Sequence, residues 1–356
     1  MKWSTKRQTS RDNNLNIQAG GDVRLGLGYR EVKDISQDTA MEVFEKNFYR
    51  LSQGAYEVAR ERAEEFTRNL VESIQQRAPD ALGQFQDPGT QSALYSAQSG
   101  YAKTGDSDLG EVLIELLIAR ISSDARGTSQ LASSYAVTVA ENLSSHHFAV
   151  LTCSFVLKQI AYTDVRSVDV LARNIEQTVA PFVDDLEGAD PADLDYLTGL
   201  GCTILTASSL SAGECAGMNY PGLFTRGFSS GEVQDSVRLI GTPLVRPFGP
   251  DSDRFKINAI TESELAELVG RTYLHDIGKI ALGTLKNTVL QAGEIERMIM
   301  QSRPSLGVIF RRCAALGING YINTAIGTAI AHANMRRVNP EFDLPLVMLV
   351  SKKPML

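Results

Sequence analysis

Residues 106–160 form the most continuously apolar part of this sequence, and their spacing is that of helices. Between residues 108 and 121 the apolar side chains recur every three or four residues, which lines one face of a helix. Asp106 or Ser107 stands in front of this run and supplies an N-cap oxygen. Two more helices follow, and the second, residues 147–160, is apolar nearly all round. A helix without a polar face must be covered on every side, so this stretch is predicted to be buried core.

A long amphipathic helix is predicted ahead of this core. From residue 36 to residue 77 the apolar side chains again recur every three or four residues, and Pro79 closes the far end. If unbroken, this helix spans roughly 60 Å at 1.5 Å per residue. Its opposite face carries a mixture of acidic and basic residues, which is typical of a face in contact with water.

The first residues show the alternation of a β-strand instead of helical spacing. Apolar side chains occupy alternate positions on both sides of Gly20-Gly21, where a turn or bulge interrupts the pattern. A single strand or hairpin is marginal alone in water, so this arm needs other strands. It is predicted to pair with copies of itself or with a partner sheet, and an edge strand on its own domain is the alternative. The residues predicted to mediate oligomerisation are Leu15, Ile17, Val23, Leu25 and Leu27.

These patterns predict a mainly α fold, with a multi-helix core, a long N-terminal amphipathic helix and a short N-terminal β arm. The apolar run at residues 342–350 is compatible with a short C-terminal strand. Asp190 in front of Pro191 marks a further helix start, whereas the small residues at 208–231 are typical of a loop. The predicted units are a β-type oligomerisation arm at 1–31, the long helix at 32–78, a helical core domain at 79–215 and a C-terminal helical domain at 216–356.

Composition and net charge limit the kinds of partner that this protein is expected to bind. At 356 residues and 43% hydrophobic content, the chain can bury a substantial core. A net charge of −7 gives no general reason to expect nucleic acid as a partner. The four cysteines form no CxxC pair and stand mostly in apolar surroundings, as reduced core thiols do. The basic N-terminus has no apolar stretch behind it, so a cytoplasmic protein is expected.

The sharpest chemical signal is the segment Leu274-His275-Asp276-Ile277-Gly278-Lys279. It is similar to the His-Asp metal pair of the HD phosphohydrolases, because adjacent His and Asp can hold a divalent metal that activates a bound water. Arg303, however, stands where a later ligand His is expected, and His146 and His147 lie far outside the expected upstream spacing. His275 and Asp276 are therefore a catalytic and metal pair only under an alternative interpretation. The leading interpretation expects no cofactor.

Two other stretches place polar residues among apolar ones. His146-His147 opens an apolar helix, where such a pair more often caps, packs or meets solvent than binds metal. Residues 313–335 contain no Lys, Arg, Asp or Glu, and their length alone would allow a membrane span. Their asparagines and histidine are costly in hydrocarbon, so two interior helices around a Gly-Asn turn are predicted. The polar residues expected to face turns and water are Asn319, Asn323, His332 and Asn334.

Several short motifs resemble an uncharacterised family of bacterial proteins. They are Asp-Pro-Gly-Thr-Gln at 87–91, the segment 97–106, Phe-Ala-Val-Leu-Thr at 148–152, the segment 329–334 and Ala-Gly-Gly-Asp-Val at 19–23. The resemblance covers most of the chain and implies a mainly helical protein with a short Gly-Gly-Asp arm near its start. Similar arms recur on bacterial proteins associated with phage defence and on multi-subunit sensors. The resemblance implies no catalytic residues.

The leading prediction is a homo-oligomeric interaction protein, a sensor or scaffold in bacterial antiviral defence, and whether it is also an enzyme is left open. Its expected partners are copies of itself and an unknown protein or phage-derived trigger, without nucleic acid or membrane. One alternative is a degenerate or divergent HD-type metal-dependent phosphohydrolase centred on His275 and Asp276. The other is a membrane-active effector that uses residues 313–335.

Overall fold

The structure is a computed structural model of the chain. It describes residues 52–79, 84, 87–123, 126–233, 235–249 and 253–350. The predicted oligomerisation arm and the first part of the long amphipathic helix fall within residues 1–51, outside the described part of the chain.

The described residues are mainly helical, which confirms the predicted fold class. The α-helices are α1 (Gln53–Arg77), α2 (Pro88–Thr104), α3 (Ser107–Ile121), α4 (Thr128–Ala140), α5 (Ser145–Gln159), α6 (Val168–Val179), α7 (Val183–Glu187), α8 (Pro191–Gly199), α9 (Ala212–Asn219), α10 (Glu262–Thr272), α11 (His275–Asn287), α12 (Ala292–Ser302), α13 (Ser305–Leu316), α14 (Ala325–Val338) and α15 (Leu346–Val350). Short 3₁₀ segments cover Ala180–Phe182, Ser236–Leu239 and Ile318–Gly320.

Side-chain caps start several of these helices where the sequence predicts them. The Asp106 carboxylate accepts hydrogen bonds from the backbone N–H groups of Asp108 and Leu109 at the start of α3. Asp190 accepts from the N–H of Ala192, with Pro191 at the first position of α8. Each cap satisfies backbone donors that the first helical turn leaves without a partner. Both predicted caps are confirmed.

Helix α14 lies at the centre of the main hydrophobic core, where it contacts α3, α4 and α5. Ala329, Ile330 and Ala331 are fully buried along it. At its first turn, Gly327 approaches another backbone so closely that an added Cβ would lie 2.0 Å from the carbonyl oxygen of Cys202. Small side chains thus allow α14 to be surrounded by other helices.

Two small antiparallel sheets accompany the helices. Strand β1 (Thr203–Leu205) pairs with β4 (Tyr321–Asn323), so that Ile204 lies opposite Ile322. Strand β2 (Val245–Pro247) pairs with β3 (Phe255–Ile257). The β1–β4 pair holds the start of α14 beside the end of α8, although these segments are far apart in sequence.

The hydrophobic interior has two main clusters. The larger cluster contains buried residues of α1 to α8, and residues of α12, α13 and α14 from the later part of the chain also belong to it. The smaller is built from α10, α11 and the β2–β3 pair, with Phe228 and Leu239 fully buried in it. All four cysteines of the chain are buried and unpaired, which confirms the prediction of reduced core thiols. The predicted domain boundary at residue 215 stays a prediction.

The secondary structure departs from the sequence expectations at two of the described segments. The apolar run expected to form a short C-terminal strand ends instead in helix α15. Pro345 stands directly before this helix, and the φ angle that a proline ring imposes is compatible with a helix start. The loop expected at residues 208–231 contains α9, which a capping box between Ser211 and Glu214 initiates. The small side chains of α9 do not produce a hydrophobic periodicity, so the sequence pattern did not predict this helix.

Residues 313–335 form the end of α13, a break and most of α14. The break begins at Gly317, whose φ of +83° favours glycine, and continues through Ile318–Gly320 and β4. The prediction of two interior helices around a Gly-Asn turn is confirmed. In the described part of the chain, no helix has the length and apolar character needed to cross a membrane.

Candidate ligand-binding site

A cavity of about 340 Å3 lies where the end of α1, the middle of α3, the last turns of α14 and the segment before α15 meet. Small-molecule sites in proteins have volumes of roughly 300 to 1,000 Å3. The walls combine apolar side chains with charged side chains and serines. The lining residues that matter for the chemistry are Arg77, Glu115, Ile118, His332, Arg336 and Leu346.

The charged residues of this cavity form one connected cluster. Arg77 donates two hydrogen bonds to the Glu115 carboxylate, one to each oxygen, and the bond to Oε2 measures 2.6 Å. Arg336 donates from Nε to Glu115 Oε2 at 3.2 Å. The Glu115 side chain is only 7% exposed, whereas Arg77 and Arg336 are 27% and 24% exposed. Two guanidinium groups share one carboxylate, so the cluster has one positive charge in excess.

Local sequence explains why each charged group lies here. Arg77 and Arg336 occupy the last turns of α1 and α14, where a cation is stabilised by the unpaired carbonyls of the helix terminus. Glu115 interrupts an otherwise apolar run on α3, and a buried carboxylate requires cationic or hydrogen-bonding partners. The sequence interpretation missed all three residues. The isolated charge at Glu115 was the signal that could have identified the site.

His332 lies one helical turn before Arg336 on α14 and is 4% exposed. Its Nε2 lies 2.8 Å from the carbonyl oxygen of Leu344. Because a carbonyl only accepts hydrogen bonds, Nε2 carries the proton. Burial lowers the pKa of His332 to about 4, so the ring is neutral at pH 7. Arg336 donates to the carbonyl of Phe342 at 2.6 Å, so two α14 side chains hold the segment in front of α15.

This arrangement is suited to binding an anion that carries an apolar group. Guanidinium groups present paired N–H donors that match carboxylate and phosphate oxygens. Ile118, Leu344 and Leu346 supply apolar wall beside them. The partial exposure of both arginines leaves the charged end of the cavity accessible from solvent. Neutral His332 adds no second positive charge, so recognition of charge depends on the two arginines.

The predicted pair His275 and Asp276 lies elsewhere, exposed at the first turn of α11. Arg303, at the position expected for a later ligand, instead forms ion pairs with Asp169 and Glu176 of α6. Within the described ranges, the group of three metal-type ligands that lie close together does not include His275 or Asp276. A role for this pair in metal binding or catalysis stays a prediction.

Of the pair His146-His147, His147 caps the helix. The backbone N–H of Ser144 donates to Nδ1 of His147 at 3.1 Å, as part of a capping box at the start of α5. The fold also brings Asp193, from the first turn of α8, to both imidazole rings. The sequence interpretation did not connect Asp193 to the histidines, because the two helix starts are separated by intervening helices.

Asn319 lies in the 3₁₀ turn and is partly exposed, as expected, whereas the other three polar residues of the 313–335 stretch have a different environment. Asn334 is 1% exposed and donates from Nδ2 to the Thr152 hydroxyl at 2.9 Å. Asn323 is also buried, and its Nδ2 donates to the carbonyl of Leu151 at 2.9 Å. The expectation that these side chains and His332 face turns and water was wrong. Helix α5 and the segment before α15 supply the polar partners of these side chains inside the core. These partners lie outside residues 313–335, so the pattern of that stretch does not reveal them.

The fold and the site together define a mainly helical protein with a charged internal cavity. The chain belongs to an uncharacterised protein family, whose model matches residues 26–348. No curated protein and no solved structure matches the chain.

Proposed function

We propose that this protein is a homo-oligomeric sensor that binds a small organic anion in the cavity between α1, α3 and α14. The observation that carries this proposal is the sharing of one buried carboxylate by Arg77 and Arg336. One guanidinium neutralises Glu115, and the excess charge is available to a carboxylate or phosphate. The excess charge is partly buried and therefore less well solvated than a charge in water, so an anion in the cavity would stabilise the protein.

The position of the cavity supports a sensing role over simple storage. One wall is the segment in front of α15, which His332 and Arg336 hold through the carbonyls of Leu344 and Phe342. Val347 and Met348, on the short helix that follows, are about half exposed. A ligand that contacts Arg336 would change the hydrogen bonds of this segment and hence the exposed surface of α15. Such coupling requires that the ligand bind the two arrangements differently.

Assembly and biological context form the second part of the proposal. Alternating apolar residues on both sides of Gly20-Gly21 support pairing of N-terminal arms between copies of the chain. The resemblance of this arm to those of phage-defence proteins supports a role in bacterial antiviral defence, in the cytoplasm, with a phage-derived molecule or protein as trigger. The chain itself is the expected partner, and the cavity ligand is the expected signal.

The cavity proposal is tested with phenyl phosphate as the anionic probe and phenol as its neutral analogue. Calorimetry at pH 7.5 should show binding of phenyl phosphate and much weaker binding of phenol. Arg336→Gln removes the excess positive charge while Glu115 keeps its two bonds from Arg77, so binding should weaken at least tenfold. Arg271→Gln makes the same charge change at an exposed i, i+4 ion pair outside the cavity and should bind like the wild type.

Two results would contradict ligand binding at this site. Equal affinity for phenyl phosphate and phenol would remove the role of the guanidinium groups. Equal weakening by Arg336→Gln and Arg271→Gln would show that only overall charge matters. Thermal unfolding of both variants should be measured alongside, since a folded Arg336→Gln protein is needed for the comparison.

The assembly proposal is tested by deletion of residues 1–30. The deletion should lower the mass measured by light scattering and leave the helical circular dichroism signal largely intact, because the helices have their own apolar faces. Leu25→Asp with Leu27→Asp should have the same effect, since both positions belong to the apolar set of the arm. Asn14→Asp with Asn16→Asp adds the same charge at polar positions and should leave the mass unchanged. An unchanged mass after deletion would contradict the assembly role.

A further inference from the structure

Three side chains with metal-binding atoms meet at the surface between α5 and α8. His146 and His147 come from the first turn of α5, and Asp193 comes from the first turn of α8. One ligand atom from each residue lies within 4.8 Å of the other two. The side chains are 34%, 11% and 16% exposed, so the group is supported by the fold and still open to solvent.

The distances suit an ion between these groups better than direct hydrogen bonds. Asp193 Oδ2 lies 3.6 Å from Nε2 of His146, and Asp193 Oδ1 lies 3.4 Å from Nε2 of His147. Both distances exceed the usual hydrogen-bond range of about 2.7 to 3.2 Å. In tetrahedral zinc sites with bonds of about 2.0 to 2.1 Å, neighbouring ligand atoms are about 3.4 Å apart. Each histidine thus lies at close to the edge length of a metal tetrahedron from one carboxylate oxygen, His147 from Oδ1 and His146 from Oδ2.

The surrounding hydrogen bonds orient the three ligands. The backbone N–H of Asp190 donates to Oδ2 of Asp193 at 2.7 Å, which leaves Oδ1 with free lone pairs. The Ser144 hydroxyl lies 2.7 Å from Nδ1 of His147 and can accept a hydrogen bond from a protonated Nδ1. That proton position is required when Nε2 binds a metal, and a neighbour that holds it is usual in metal sites. In the absence of metal, the same Nδ1 accepts the N–H of Ser144 and caps the helix.

We propose that His146, His147 and Asp193 bind one first-row divalent cation of the zinc type. Two imidazole nitrogens and one carboxylate oxygen form the donor set that such ions accept, and water completes the coordination. On binding, His147 changes tautomer: Nε2 binds the cation, and the ring proton is on Nδ1, which donates a hydrogen bond to the Ser144 hydroxyl. The cation then joins the start of α5 to the start of α8. This site is separate from the charged cavity and does not depend on its ligand.

The test uses untagged protein treated with EDTA and then titrated with Zn²⁺ by calorimetry. Wild-type protein should bind one Zn²⁺ per chain. Asp193→Asn keeps an oxygen that can accept the N–H of Asp190 and removes the charged ligand, so affinity should fall at least tenfold. His146→Ala should have a similar effect without removing the capping bond made by His147. His275→Ala is the matched control, because it removes an exposed histidine beside an aspartate and should leave binding unchanged.

A second measurement does not depend on the folding of any variant. The chain has four histidines, so NMR of protein with ¹⁵N-labelled histidine gives four imidazole spin systems. Zn²⁺ should shift the ring nitrogens of two of them and convert His147 to the tautomer with a proton on Nδ1. The inference is overturned if no stoichiometric Zn²⁺ binds, or if the shifted rings are those of His275 or His332. It is also overturned if Asp193→Asn and His146→Ala both bind Zn²⁺ like the wild type.

Discussion

The charged cavity and the first turn of α11 both combine a histidine with an acidic residue, but their environments differ in every other respect. In the cavity, Glu115 is buried between Arg77 and Arg336, which stand 38 and 221 positions away in the sequence. At α11, His275 and Asp276 are adjacent in sequence and both exposed. Ionisable residues that are adjacent in sequence therefore need not form a site. Charged residues that come from distant parts of the chain interact strongly when the fold buries them together.

The energetic consequences of the two environments differ accordingly. Water and salt screen the groups at α11, so changing them alters few strong interactions. In the cavity, removal of one charged side chain leaves the charges of its partners buried without an opposite charge. Three substitution experiments separate the two regions, beginning with the largest expected effect.

Glu115→Ala should destabilise the protein by about 3 to 5 kcal/mol, because two partly buried guanidinium groups lose their shared carboxylate. Glu267→Ala is the matched control, since Glu267 forms an exposed ion pair with Arg271 one turn away on α10. The control should change stability by less than about 0.5 kcal/mol. Chemical denaturation measures both values. Equal effects of the two substitutions would contradict the importance of burial at the cavity.

His332 should give the stability of the protein a pH dependence that originates at the cavity. Its pKa falls from 6.5 to about 4 on folding, so the unfolded chain binds more protons between these values. The contribution of His332 to stability is complete above pH 6.5 and is lost as the pH falls toward 4. At about 1.4 kcal/mol per pKa unit, this loss amounts to roughly 3 kcal/mol.

Denaturation of wild-type protein and of His332→Gln between pH 4 and 7.5 measures this contribution. The variant keeps a donor for the Leu344 carbonyl, and its stability should depend less on pH. His275→Gln makes the same exchange at an exposed position outside the cavity and serves as the control. An identical pH dependence in wild type and His332→Gln would show that the imidazole of His332 is not kept neutral by burial.

His275→Ala combined with Asp276→Ala should have the smallest effect, less than about 0.5 kcal/mol on the free energy of unfolding. Both side chains are exposed, so their removal creates no cavity and leaves no buried group unpaired. Elemental analysis of the purified protein gives the second readout. Loss of stoichiometric manganese, iron or zinc in the double variant would instead favour the metal-dependent phosphohydrolase.

Much of the secondary structure could be predicted from the sequence. The period of Val112, Leu113, Leu116 and Leu117 predicted α3, and Asp106 predicted its first turn. Helix α9 was missed, since Gly213, Ala216 and Gly217 carry no hydrophobic period although they are buried against other elements. The site was missed for a related reason. The position of Glu115 in an apolar run indicates that its carboxylate has charged or hydrogen-bonding partners. It does not indicate which residues these partners are.

The sequence by itself determined where helices begin and which of their faces are apolar, because caps and hydrophobic periods involve residues within one or two turns. Only the tertiary structure decided which faces meet. It left Ile326 half-buried and Ile330 fully buried, although the two isoleucines stand one helical turn apart on α14. It also brought Arg77 and Arg336 to one carboxylate, and Asp193 to two histidines, because packing of whole helices places residues from distant parts of the chain side by side.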